Sequence, residues 1–440
     1  MEYPSDIKIT KSSYYLEHLR KDLTHLKVYT IDPSGSTDAD DAFSIIDNGD
    51  NCYDLYVHIA DPTSFFEVND PVFKCIKLNG VSQYPLFNQV RHMFHPKYVN
   101  ACTLIGGIKP AITVKITIKD NIVKSKECIL SIINCDPDYR LTYESAGYIL
   151  ENRVHPYYND LIKVKTITDE MRSQRTTRTY VQSMPAKISL IHNKICYTTF
   201  DEYTICAKKV IEELAIQTNN IIANIIIDNK GNQILNRNCT KLNDGIITET
   251  GNLILDIISN DFKAKYDTQI EKHVILNLET YCHFTSPLRR FSDCITHFIL
   301  KHSIFQRITK PLFNDRIMEH YTMICNDGSR KHRNASFSDH KYRLYQYLQQ
   351  ELKTRDYVEL KYIHSGMTGR FINALIIGVD GYTTNISYTL VSDNNMDCEL
   401  IRSFHGTANT IPITECNIQN TKYDKGSLPE LEERMVRYFG

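Results

Sequence analysis

Four aspartates, Asp32, Asp38, Asp40 and Asp41, fall within ten positions, and apolar runs close on them from both sides. Leu26 to Ile31 reads as a strand ending directly at Asp32, and Ala42 to Ile46 reads as the next strand. The acidic residues therefore occupy a Gly- and Ser-containing loop that feeds a sheet. Two carboxylates about 5 Å apart repel by roughly 3 kcal/mol at an effective dielectric near 20, so such a cluster is costly unless cations neutralise it. The implied cation is hard and oxygen-preferring. Magnesium fits best, because it takes few carboxylates, keeps waters and accepts phosphate oxygens as further ligands. A calcium loop fails by position: counting from Asp32, the third residue is Ser34 and the twelfth is Phe43. A solvated acidic surface loop stays open as the plain alternative.

The elements after this loop set the fold class. Asn48-Gly49 between Ala42–Ile46 and Cys52–Ile59 is a hairpin signal, and Ile112 to Lys119 with Ile122 to Ile133 predicts a second hairpin around Asp120-Asn121. Val210, Ile211, Leu214, Ile221, Ile222 and Ile225 fall at helical spacing within 207–228, and further helices are expected over 287–304, 314–325 and 336–353. After Arg355 the character changes to β-branched runs at 357–363, 370–379 and 384–391. An α+β chain follows, with a short extension over 1–24, a large domain over 25–354 and a small β-barrel over 355–440. Closed barrels of that size often bind single-stranded nucleic acid, and a dimerisation or stability domain is an equal alternative.

Composition excludes more than it assigns. Lys and Arg number 51 against 52 Asp and Glu in 440 residues, so any surface for a polyanion must be local. The 13 cysteines are scattered singly without a C-x-x-C pair, which argues against a zinc site or disulfide framework and for a reducing compartment. No apolar run approaches the roughly 18 residues of a membrane span, so a cytoplasmic protein is expected.

A second constellation runs from Tyr281 to Asp293. Ser286 as N-cap with Pro287 at the first helical position predicts a helix start there. Leu288, Phe291, Ile295 and Phe298 would form its buried stripe, leaving Arg289 and Asp293 one turn apart on a polar face. A guanidinium beside a helix N-terminus is a favourable phosphate receiver; a simple surface pair between Arg289 and Asp293 is the plain alternative. His283 is expected to pack rather than act as a base.

Together the two segments resemble the catalytic domain of ribonuclease II and ribonuclease R, the RNB exoribonucleases. Thr30 to Ala42 matches the family's T-I-D, five residues, D-x-D-D-A. Tyr281 to Asp293 matches its Y-x-H-F-T-S-P-I-R-R-Y-x-D, with Leu288 for Ile and Phe291 for Tyr. Lesser matches at Tyr56–Asp61, Arg140–Glu144 and Ile211–Asn219 carry the resemblance over roughly residues 25 to 353. The segment Leu78 to Pro85 lacks the family's Arg, and two cold-shock-type barrels common before the family's catalytic domain have no counterpart in the 25 or so residues before the aspartate-bearing strand.

The resemblance implies a β-rich core with surrounding helices enclosing a channel for single-stranded RNA, followed by an OB- or S1-like barrel. It implies 3′-to-5′ hydrolysis to nucleoside 5′-monophosphates with two magnesium ions, which manganese could replace. Asp32, Asp38, Asp40 and Asp41 would hold the metal, and Asp40 and Arg289 would serve catalysis. Tyr84, Tyr143, Tyr180, Glu213 and Arg290 would contact RNA. Rival expectations are a catalytically silent RNA-binding scaffold, and a magnesium-dependent nuclease that cuts internally or prefers DNA.

Overall fold

The computed structural model describes residues 8–84, 90–175, 187–191, 194–229, 233–241, 262–368, 371–391 and 418–424. The chain divides into two compact units. The first comprises Met1–Thr177, Asp201–Thr240 and Lys263–His332; the second comprises Arg178–Phe200, Lys241–Phe262 and Arg333–Gly440.

The first unit is built on a five-stranded sheet. Its strands are β1 (Lys21–Asp22), β3 (Asp41–Asp47), β4 (Cys52–Ala60), β5 (Gly107–Lys119) and β6 (Ile122–Cys135), in the order β1-β6-β5-β4-β3. Both expected hairpins form. Asp120 and Asn121 sit at φ 52° and 60°, and Gly49, Asp50 and Asn51 also take positive φ, the left-handed backbone that tight hairpin turns require. A separate parallel pair joins β2 (Thr30–Asp32) to β7 (Arg140–Thr142), with Asp32 opposite Thr142.

Alternation along the strands gives the sheet two apolar faces. Leu55, Val57, Ile59, Ile112, Val114, Ile116 and Ile118 enter the main core. That core also takes residues from α3 (Tyr143–Glu151), α4 (Tyr158–Arg175), α5 (Glu202–Asp228) and α6 (Phe291–Leu300), which follow α1 (Pro71–Asn79) and α2 (Pro96–Cys102) in the chain. The opposite face carries a smaller cluster in which Leu288 packs with Ala39, Ala42, Tyr56, Ala60 and Leu104. Burying one leucine contributes about 2 kcal/mol, so this contact pins the arginine segment onto the aspartate loop.

Two helical expectations differ from the structure. The stretches 314–325 and 336–353 form one helix, α7 (Asp315–Glu351). The intervening Asn326-Asp327-Gly328-Ser329 reads as a break, but the Asn326 side chain bonds both backbone groups of Tyr266 at 2.8 Å and so has a distant partner while the helix continues. The other difference, at Ser286, concerns the site.

In the second unit, strands 357–368, 371–379, 382–391 and 418–424 form an antiparallel sheet, with 382–391 and 418–424 at its edges. The remaining stretches of the expected barrel, 392–417 and 425–440, lie outside the described residues. Among the described residues no helix is long and apolar enough to cross a membrane.

Candidate metal and phosphate site

The aspartate loop is held from below and above. Ala39 N–H donates to Thr103 Oγ1 at 2.8 Å and its carbonyl accepts from Leu104 N–H at 3.0 Å. Ala60 N–H donates to the Asp40 carbonyl at 2.8 Å, and Asp41 opens β3 opposite Ile59. Asp32 ends β2 beside Thr142, which caps α3 through a reciprocal hydrogen-bond box with Ser145, so Tyr143 at the first helical position comes to the same place.

The segment 286–290 arrives from the far end of the unit. Asp40 Oδ1 accepts from Leu288 N–H at 2.7 Å across 248 positions, and Asp40 Oδ2 lies 3.3 Å from Arg289 Nε. The expected helix start at Ser286 is corrected here: the helix begins at Phe291, and Arg290, its N-cap, is extended. Arg289 and Arg290 N–H return to the Ser286 carbonyl at 3.3 and 3.0 Å and close a single turn, while tertiary partners take other donors. Ser286 N–H goes to Asp293 Oδ1 at 2.8 Å, Leu288 N–H to Asp40, and Phe291 N–H to Gly80 O at 2.9 Å. The partner of Asp293 is likewise Arg290, at 2.9 Å, while Arg289 reaches Ser286 Oγ and Asp40.

All four aspartates line one cavity of about 770 Å³, together with Tyr84, Tyr143, Lys208, Glu212, Arg289 and Arg290. Burial pushes the carboxyls of Asp32, Asp40 and Asp41 up to about 7, about 8 and about 6. Asp41 and Asp38 add to the rise at Asp32, whereas Arg289 and the Leu288 N–H oppose it at Asp40. Among the described residues, buried Asp32 Oδ2 has no hydrogen-bond partner. An orphaned carboxylate oxygen beside two further acids is what a divalent cation satisfies, so the donor set fits magnesium. Among the described residues no three such groups already close on one point, so an ion would need waters or substrate oxygens to complete its shell.

A pH dependence follows. A carboxyl whose folded pKa is raised holds its proton longer in the native state, so its contribution to stability is present below about pH 4 and is lost as pH rises through about 6 to 8. A divalent ion therefore counteracts the loss most at the alkaline end. In thermal melts, saturating magnesium should raise the midpoint by roughly 2–4 °C at about pH 8.5 and hardly at all at about pH 5. An equal rise at both pH values would contradict this.

The remaining expected residues fall as follows. Tyr84 donates its hydroxyl hydrogen to Asp38 Oδ2 and lies at the cavity. Tyr143 is partly buried there, with Lys208 Nζ 5.3 Å from its ring centroid. Glu213 is fully buried, its carboxylate bound by Arg175 at 2.7 Å, Arg172 at 3.4 Å and Gln217 at 2.8 Å, and it is Glu212 that lines the cavity. Tyr180 lies outside the described residues. His283 packs against Tyr266, whose hydroxyl is 2.6 Å from its Nδ1, and burial lowers its pKa.

Sequence reasoning missed Lys208 and gave no site role to Arg140, Glu212 or Asn219, although these three lie in the matched blocks Arg140–Glu144 and Ile211–Asn219. Arg140 partly opposes the rise that burial, Asp41 and Asp38 impose on the Asp32 carboxyl. Asn219 Oδ1 accepts from the N–H groups of Phe284 and Thr285 at 2.8 and 3.2 Å, and its Nδ2 donates to Tyr281 at 2.9 Å, so α5 anchors the start of the arginine segment. Lys208 and Glu212 are one helical turn apart on α5, and that spacing was the available signal.

A family model described as the RNB domain matches residues 20–306. The chain belongs to the RNB family. Ribonuclease R of Chlamydia muridarum is 26% identical over 351 residues, covering 69% of this chain and 50% of the relative. Exoribonuclease 2 of Buchnera aphidicola is also 26% identical over 351 residues, covering 69% and 54%. The chain thus spans about half the length of these curated RNB relatives. Among solved structures, Mycoplasma genitalium RNase R in complex with ribose methylated single-stranded RNA matches with a TM-score of 0.69 at 20% identity, covering 86% of this chain and 67% of that one. Yeast Ssd1, a pseudonuclease, matches with a TM-score of 0.65 at 18% identity, covering 85% and 51%. This chain, a mixed sheet core with helices packed around it, shares its fold with these solved structures.

Proposed function

We propose that this chain is a metal-dependent exoribonuclease that hydrolyses single-stranded RNA from its 3′ end to nucleoside 5′-monophosphates. The observation that carries the proposal is the meeting of Asp40 with the Leu288 N–H and Arg289, 248 positions away, in a cavity that Asp32, Asp38 and Asp41 also line. Carboxylates for a cation and a guanidinium for phosphate are the minimum set for stabilising charge in phosphoryl transfer. The curated relatives named as ribonucleases support the same chemistry.

Asp32, Asp38, Asp40 and Asp41 would hold two magnesium ions, which supply Lewis acidity toward water and the scissile phosphate. The chain's own groups do the rest. Arg289, whose side chain is 45% exposed, is free to turn toward a phosphate and stabilise its developing charge. Tyr143 would stack on the terminal base and Tyr84 would hold the strand further along; aromatic stacking contributes about 1–3 kcal/mol per base without demanding a sequence. Arg290, tied to Asp293, keeps Arg289's segment in place and adds positive charge to the cavity wall. Residues 355–440 are proposed as an OB- or S1-like barrel, and the protein as cytoplasmic.

End-labelled RNA and DNA strands, incubated with magnesium or with chelator, test the proposal. A ladder growing from the 3′ end of RNA only, abolished by chelator, is the expected result. Internal cuts or DNA cleavage would overturn the directionality or the substrate, and intact RNA bound without cleavage would make the chain a silent RNA-binding protein, as the likeness to a pseudonuclease allows. Arg289→Ala should lower kcat by about a hundredfold while changing KM little, because its contact to phosphate strengthens in the transition state. Equal losses in kcat and affinity would reduce Arg289 to a binding role.

A further inference from the structure

One oxygen of Asp38 is enclosed by side chains. The Tyr84 phenol, protonated at neutral pH, donates its hydrogen to Asp38 Oδ2, and His92 Nδ1 approaches the same oxygen to 3.7 Å with its ring edge-on to Tyr84. Tyr84 and Asp38 both line the aspartate cavity. Backbone bonds place the phenol. Gln83, which precedes it, exchanges both backbone hydrogen bonds with Arg91 at 2.9 Å, and Ser82 N–H donates to the Arg289 carbonyl at 3.0 Å. The strand fragment that carries Tyr84 is therefore laced to the segment that carries Arg289.

A carboxylate binds a cation through one oxygen or through both. Magnesium is satisfied by one, in an octahedron of ligands about 2.1 Å away, whereas calcium takes about six to eight oxygens at about 2.3–2.6 Å and readily draws on both oxygens of an acid. A hydrogen bond to Oδ2 draws charge from that oxygen and fixes the plane of the carboxylate, which leaves Oδ1 as the better donor to an ion. Asp40 is constrained likewise, with Oδ1 on the Leu288 N–H and Oδ2 facing Arg289 at 3.3 Å. Two of the four acids thus offer few oxygens to an ion, an arrangement that suits a small octahedral one completed by water or phosphate.

We propose that Tyr84 is a positioning residue for the metal: its hydroxyl holds Asp38 to ligation through one oxygen and so sets a preference for magnesium over calcium. The inference rests on the aspartate cavity being a metal site at all, and it goes beyond that by naming the group that selects the ion. It gives the Tyr84 hydroxyl a task separate from that of the ring, which is proposed to hold the strand.

Metal affinities measured without RNA separate the two levels. The full chain is titrated by calorimetry with magnesium alone and with calcium alone, in the parent, in Tyr84→Phe and in Asp41→Asn. Tyr84→Phe keeps the ring and removes the hydroxyl. The expected result is a rise of about tenfold in the ratio of calcium to magnesium affinity in Tyr84→Phe, while Asp41→Asn weakens both ions. A general loosening of the pocket moves both affinities together, so the ratio is the reading that a merely structural role would not shift. If Asp41→Asn weakens both ions but the ratio in Tyr84→Phe stays at the parent's value or falls, the Tyr84 proposal is wrong and the aspartate reading stands. If neither ion binds the parent at millimolar concentration, or Asp41→Asn leaves both affinities unchanged, both fall. Tyr84 is 42% exposed, and Tyr84→Leu, which also lacks the hydroxyl, carries the same measurement should Tyr84→Phe lose its fold by circular dichroism.

Discussion

On the exoribonuclease activity proposed above, Asp40→Asn should turn over RNA at least about a thousandfold more slowly than the parent chain, while still folding and still binding a single strand. The substitution keeps the shape and the oxygen that accepts the Leu288 N–H at 2.7 Å, and removes the negative charge that faces Arg289 at 3.3 Å. The carboxyl of Asp40 is 5% exposed and burial already pushes its pKa up to about 8, so a neutral amide there relieves repulsion with Asp38 and Asp41. In the absence of metal the variant should melt no lower than the parent. Single-turnover cleavage, filter binding and a thermal melt on the same sample separate these effects. An unfolded variant would mean that Asp40 is a structural acid, and a variant that cleaves normally would remove it from catalysis.

Asp61→Ala should destabilise the first unit by about 3–5 kcal/mol, read as a fall in the urea midpoint. Asp61 is fully buried just beyond β4, and it gathers charges from both ends of the unit. Lys301, at the end of α6, reaches Oδ1 at 2.6 Å; Arg20, just before β1, and Ser64 each reach Oδ2 at 2.7 Å. Lys301 and Arg20 hold the Asp61 carboxyl well below the usual carboxylate range, while burial lowers the Lys301 ammonium to about 8. Truncating the acid leaves two buried cations facing each other without a counter-charge. The sign with pH is set by the acid: its folded pKa is depressed, so this stabilisation is present above the ordinary carboxylate range and is lost as pH falls below it. A loss under about 1 kcal/mol would mean that Arg20 and Lys301 relax to water.

The parts of this molecule that could be read from its sequence are those decided by neighbours in the chain. Turn residues at Gly49 and at Asp120-Asn121 sit where alternating apolar runs leave them, and the hairpins follow. Apolar spacing over 207–228 gave α5, which begins five residues earlier because Asp201 caps it through Thr204 N–H at 2.7 Å. The aspartate loop was legible because its charge density has few physical solutions.

What failed was decided by partners far away. Ser286-Pro287 has every local mark of a helix start, yet Asp40, Asp293 and Gly80 claim the donors that a first turn would leave open. The stripe Leu288, Phe291, Ile295 and Phe298 suggested a half-buried helix, whereas every residue of α6 is buried, its charged Asp293 included. Asp293 is bound by Arg290 and Ser292, and Lys301, which follows the helix, is bound by Asp61. No pattern in the sequence announces such pairings, and none placed His92 beside Asp38.

The link between Asp40 and the Leu288 N–H also governs when the molecule can act. Joining groups that far apart closes a very large loop, a late and slow event among the contacts of a fold. During synthesis, Asp40 leaves the ribosome 248 residues ahead of its partner on the arginine segment. A nascent chain therefore lacks the assembled site until the segment around Leu288 has emerged and docked against Asp40.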